Sequence, residues 1–176
     1  MKAPASVTVW TLPIRVTHWM LAVSTLTAYF TANVYNDVHN LAGYTVIGLL
    51  IVRVVLGVTG NHYAQFRYFP LRPRAVLNYL RDIARGKPRR YLGANPAGAA
   101  MAVALLALLA VSAASGWLQI TLYFFGVAWM QDLHTYSSHA IFGLAVVHVA
   151  GALLMWRLLK ENLVRAMIDG HKRRRS

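Results

Sequence analysis

Whatever chemistry this chain performs must come from histidine: seven histidines and no cysteine stand among its 176 residues. The missing thiols exclude disulfides, iron–sulfur clusters, Cys-ligated zinc and haem attached covalently through Cys-x-x-Cys-His. A neutral imidazole binds a metal through one ring nitrogen while the other is held by a hydrogen bond. His134 and His148 are 14 residues apart. On an α-helix that spacing returns to within about 40° of the same face and climbs roughly 21 Å. One helix face would then present two ligands at two depths. His139 falls about 140° from His134 and about 180° from His148, so it points elsewhere. His18 and His39 offer a second pair nearer the N-terminus, while His62 and His171 fall in polar stretches. Taken singly, each histidine also reads as a helix-end residue bonded to backbone or headgroups. Four of them matched in depth and face point to ligands.

The elements that must position these residues are transmembrane helices. Lys and Arg number 18 against 5 Asp and Glu, giving a formal net charge of +13 and a sequence pI of about 10.8. Such a balance suits either nucleic acid or an anionic membrane. Because 57% of the chain is hydrophobic and its mean hydropathy is +0.45, the membrane is the expected partner and nucleic acid is not. Crossing the roughly 30 Å hydrocarbon core takes about 20 apolar residues. Four stretches qualify, at about 16–36, 40–58, 97–120 and 133–157, with a basic loop at 59–96. The expected fold is an all-α integral membrane protein, a four-transmembrane-helix bundle forming one domain over 1–176. A cleaved signal peptide is disfavoured for the first stretch, because Arg15 and His18 sit where its apolar region would begin and no small-x-small site precedes Asp37. Within the loop, Arg74 to Arg85 carries Val76, Leu77, Leu80, Ile83 and Ala84 at helical spacing between Pro73 and Gly86. A short helix on the inner membrane face is expected there.

Cytoplasmic segments of membrane proteins carry the excess of Lys and Arg. Here Lys2 and Arg15, the eight basic residues from Arg67 to Arg90 and the seven from Arg157 to Arg175 fall on one side, while the opposite loops hold only Asp37 and Asp132. Both termini are therefore expected in the cytoplasm. With that orientation His18 and His148 share the inner depth, and His39 and His134 the outer. Paired imidazoles at two depths suit two six-coordinate haems stacked across the bilayer. Arg53 lies 14 residues from His39, on the same face and further in. A buried Arg costs about 2.5 to 3.5 kcal/mol at a helix centre, which a propionate of the inner haem would offset; snorkelling to headgroups is the other reading. Gly43, four residues after His39, would let a porphyrin edge approach. Met155, seven residues beyond His148, reads as lipid-facing or as core filler rather than an axial ligand.

The sequence resembles the bacterial and nickel-hydrogenase cytochrome b561 family. The likeness rests on VWTLPIRVTHW (Val9–Trp19), HNLAGY (His39–Tyr44), Arg53, RYLGANPAG (Arg90–Gly98), LHTYSSHAIFGLAVVH (Leu133–His148) and ENLVRAMIDG (Glu161–Gly170), and covers nearly the whole chain. It implies two haem b groups ligated at His18, His39, His134 and His148, a place in a bacterial inner membrane, and electron exchange between the quinone pool and a redox partner. Departures from the family's hydrogenase-linked members are short loops and Thr135 in place of the acid that usually follows the histidine.

The expected function is electron transfer across the inner membrane between quinone and a periplasmic partner, a c-type cytochrome or a hydrogenase, making the chain an electron-transfer subunit or a quinone oxidoreductase. Alternatives are a superoxide–quinone oxidoreductase without a protein partner, a histidine-lined metal transporter, and a structural anchor. The first is weakened by an outer face without Lys or Arg, the second by the absence of Cys and of interior carboxylates. The outer stretch Ile120–Met130, with Tyr123, Phe124, Phe125 and Trp129, reads as an interfacial aromatic belt or a docking surface. The direction of electron flow and the oligomeric state, a homodimer included, stay open at this point.

Overall fold

A computed structural model describes residues 6–173. Lys2, Arg174 and Arg175, which entered the charge count above, lie outside the described residues. Six α-helices dominate: α1 (Leu12–Thr31), α2 (Asn36–Thr59), α3 (Pro73–Ala84), α4 (Pro96–Leu118), α5 (Ala128–Leu159) and α6 (Leu163–Asp169). Among the described residues three helices, α2, α4 and α5, are long and apolar enough to cross a membrane. α1 falls outside that group because Arg15, His18 and the threonines at 17, 25, 27 and 31 dilute its apolar content. It begins four residues before the expected stretch and ends five before it. Pro13 occupies its second position, where a missing N–H costs nothing. At the other end Val34 and Tyr35 both bond to the Thr31 carbonyl, closing a tight turn that lets α2 start at Asn36 with Asp37 on its positive end.

The chain packs as two compact units. One gathers Met1–Val16, Val55–Met101 and His148–Ser176, so among its described residues both chain ends share a unit with the central basic loop. In it β1 (Ser6–Thr8) pairs antiparallel with β2 (His171–Arg173), an addition to the all-α expectation. Val9 and Trp10 N–H groups both donate to the Gly170 carbonyl, at 2.9 and 3.1 Å, and Asn61 Nδ2 donates to the Val9 carbonyl at 3.0 Å. Gly170 is required twice over: its φ is +82°, and an added Cβ would stand 2.5 Å from the Trp10 carbonyl oxygen. The Arg15 guanidinium donates to the Ile168 carbonyl. Arg90 forks onto Glu161 with two bonds of 2.9 Å, and Lys172 donates to the Tyr91 carbonyl. The side chains of Asn95 and Asn162 accept from Gly98 and Arg165 N–H at 2.8 Å each, capping α4 and α6. α3 occupies the place its spacing foretold, with Leu77 and Leu80 exposed and Tyr79 buried.

The Tyr79 hydroxyl donates to the Arg89 carbonyl at 3.1 Å. Burial, then Tyr91 and Asp82 nearby, pushes its pKa up to about 12. An unfolded tyrosine ionises near 10, so between about pH 10 and 12 the unfolded state loses a proton that the native state keeps, and stability falls as pH rises. Tyr79→Phe is expected to flatten that alkaline limb of a Tm-against-pH series. An unchanged slope would contradict the assignment.

The second unit gathers Thr17–Val54 and Ala102–Val147. Its core is one residue from each of four helices: Leu21 of α1, Val46 of α2, Leu109 of α4 and Ile141 of α5. Side chains such as Leu41, Ile51, Val146 and Val147 are more than half exposed, the outward apolar surface of lipid-facing helices. Ser112 and Ser138 hydroxyls meet at 3.0 Å, a short polar link of the kind that joins membrane helices.

Candidate metal centre

His39 sits in the first turn of α2 and His134 in the second turn of α5, both half-buried in the second unit. The tight turn at Thr31–Tyr35 folds α2 back beside α1, so that His39 Nδ1 donates to the Ala28 carbonyl at 2.8 Å. His134 Nδ1 donates to the Ser112 carbonyl of α4 at 2.8 Å, with the Ser115 hydroxyl 3.4 Å from the same nitrogen. A carbonyl can only accept, so in both rings the proton is on Nδ1 and Nε2 holds the lone pair. The imidazoles thus have the tautomer and the outer hydrogen bond that metal-bound histidines use.

The two ring centres are 6.1 Å apart and their planes meet at 87°. A metal–imidazole bond is about 2.0 to 2.1 Å, and bond lengths near 1.33 Å put a ring nitrogen about 1.1 Å from its ring centre. Two imidazoles bracketing one ion from opposite sides therefore have centres roughly 6.2 to 6.4 Å apart. The observed pair matches that separation. Their perpendicular planes are compatible with it, since rotation about a metal–nitrogen axis leaves the bond length unchanged.

Nothing lies within 4 Å of where a Cβ at Gly43 would stand, one turn after His39. Gly116 differs: a Cβ there would be 2.8 Å from Cε1 and 3.0 Å from Nδ1 of His134. Ser112, Ser115 and Gly116 form the cradle of His134, and sequence reasoning missed it. The signal was present as three small or polar residues at helical spacing in an otherwise Ala- and Leu-rich span.

His18 is half-buried on α1 in the second unit, edge-on to Trp19 at 5.5 Å. His148 is half-buried on α5 and belongs to the first unit, as does Met155, which is 5% exposed and packs as filler. Arg53 is half-buried on α2. His139 does turn elsewhere, bonding Tyr29 through Nδ1 at 2.9 Å. His62 is exposed against the Tyr68 ring, and His171 bonds the Asp169 carbonyl at 2.6 Å. Among the described residues no three His, Asp or Glu come together as a metal cluster.

A family model described as prokaryotic cytochrome b561 matches residues 9–170. No curated protein and no solved structure matches the chain.

Proposed function

The chain belongs to the prokaryotic cytochrome b561 family, membrane b-type cytochromes that bind haem and transfer electrons, and from that premise we propose that it is a di-haem electron carrier between the quinone pool and a periplasmic redox partner. The observation that carries the reading is the His39–His134 pair, with ring centres 6.1 Å apart and both Nδ1 atoms held by carbonyls. These two residues would hold an outer haem, and His18 with His148 an inner one. Haem b, when bound, supplies reversible one-electron chemistry at its iron. The chain's own part is to fix the ligand tautomers, exclude water from the pair with apolar helix faces, and leave room at Gly43 for a macrocycle edge.

An even number of crossings supports the two-depth arrangement. β1 pairs with β2, and both share a unit with the loop between α2 and α4. That shared unit supports a four-crossing reading in which α1 crosses the bilayer as well. The concentration of Lys and Arg in those segments supports a cytoplasmic placement for them at a bacterial inner membrane. In this reading His39 and His134 belong to the periplasmic half, where a c-type cytochrome or a hydrogenase would exchange electrons.

Arg53 is assigned to a propionate of the inner haem. Arg53→Leu is expected either to empty one haem site or to lower one midpoint potential by about 59 mV for each 1.4 kcal/mol of lost charge stabilisation. Full occupancy with both potentials unchanged in a redox titration would reject the pairing. For the electron route, anaerobic addition of decylubiquinol to the protein in vesicles should reduce the b-type α bands, and an external soluble c-type cytochrome should reoxidise them. Bands that no quinol concentration reduces would refute the quinone end of the route.

A further inference from the structure

Beyond the four assigned histidines stands a fifth imidazole, on the candidate membrane helix α5, that the proposed route leaves unused. His139 is exposed on α5, and its Nδ1 lies 2.9 Å from the Tyr29 hydroxyl of α1. Tyr29 stacks flat on Phe142, with ring centres 4.6 Å apart and planes 5° from parallel. Phe30, 65% exposed, meets Phe142 edge-on at 5.8 Å. All four residues belong to the second unit. The pair also adjoins the metal centre along the chain: Ala28, whose carbonyl holds His39, precedes Tyr29, and His139 follows His134 by five residues.

We propose that Tyr29 and His139 form the binding site for the ring of a quinone or quinol that enters sideways from the bilayer, with Phe30 and Phe142 as its aromatic wall. This rests on the reading that the protein exchanges electrons with quinones, and it names where in the chain they bind. An ionisable side chain facing lipid is costly, and its retention points to a polar ligand that arrives within the membrane. The direction of the Tyr29–His139 hydrogen bond supplies the recognition. When the tyrosine donates to Nδ1, the imidazole keeps its proton on Nε2 and offers a donor, which a quinone carbonyl accepts. When Nδ1–H donates to the tyrosine oxygen, Nε2 becomes an acceptor, which a quinol hydroxyl satisfies. Reversing one hydrogen bond fits the same site to both redox forms. An isolated histidine or a lone tyrosine would lack that exchange of roles.

The test is binding of decylubiquinone to the full-length haem-loaded protein in lipid nanodiscs, by titration calorimetry, for the wild type, Tyr29→Phe and His139→Leu. Tyr29→Phe keeps the ring that stacks on Phe142 and removes only the hydroxyl. Both variants are expected to bind about tenfold more weakly or worse, as loss of one buried polar partner implies, with the reduced-minus-oxidised spectrum unchanged. Wild-type binding matched by both variants would overturn this site while leaving the quinone reading intact. A wild type that binds no quinone would overturn both. Photolabelling of the unmodified protein with an azidoquinone gives a check free of folding effects: label on the segments around 29–30 or 139–142 is expected, and label confined elsewhere overturns the site.

Discussion

Replacing His134 by Ala is expected to lower the haem content from about two to about one per chain, as read by pyridine haemochrome on purified protein. The imidazole stands at ligating separation from His39, with ring centres 6.1 Å apart. Its removal also costs the Ser112 carbonyl the 2.8 Å bond from Nδ1, leaving it the 3.1 Å bond from the Ser115 hydroxyl. His39→Ala should give the same loss, because a six-coordinate site fails when either axial ligand goes. The double variant His39→Ala/His134→Ala should be no worse than either single one, since residues acting as a unit are not additive. His139→Ala, bonded instead to Tyr29, should keep the full haem content. A His134→Ala protein that retains both haems would show that the pair does not ligate.

Gly116→Val should have nearly as large an effect without touching a ligand. A Cβ at that position would stand 2.8 Å from Cε1 and 3.0 Å from Nδ1 of His134, closer than packed atoms tolerate. The ring cannot yield freely, because swinging it away breaks its hydrogen bond to Ser112. Disturbing the support of a metal-bound histidine costs about 10- to 100-fold in metal affinity, and one of the two haems should be lost during purification. Gly116→Ala should show the same defect in milder form. Gly151→Ala is the control: nothing lies within 4 Å of its added Cβ, so haem content should not move. Equal haem occupancy in Gly116→Val and the wild type would mean that the His134 ring sits elsewhere when the group is bound.

Much of the scaffold was legible because it is written in hydrophobic runs and punctuation. α3 falls between the Pro73 and Gly86 that marked it, α2 and α5 cover the apolar stretches assigned to them, and α4 stops two residues short of its own. Depth alone paired His39 with His134, and in the structure their ring centres stand 6.1 Å apart with the planes nearly perpendicular. The charge-free stretch 16–36 misjudged α1, since a run without charges measures apolar extent and not where the backbone turns. Arg15 lies inside the helix because its guanidinium has the Ile168 carbonyl to reach. The β1–β2 pairing left no trace, because three-residue strands carry no alternating pattern and their partner lies at the opposite end of the chain. The motifs RYLGANPAG and ENLVRAMIDG, quoted above for the family likeness, prove to hold helix caps: Asn95 opens α4, Asn162 opens α6, and Gly170 closes α6. The cradle of His134 escaped notice for a different reason. A serine or glycine in a membrane span reads as helix packing, and only the approach of α4 to α5 shows that Ser112 and Gly116 meet an imidazole.

The account stands most directly on haem counted per chain. Detergent-purified wild-type protein, with haem measured by pyridine haemochrome and chain by amino-acid analysis, should yield about two b-type haems with sharp low-spin α bands after dithionite reduction. One haem per chain, or none in folded protein, would contradict the two-pair ligation on which the electron route depends.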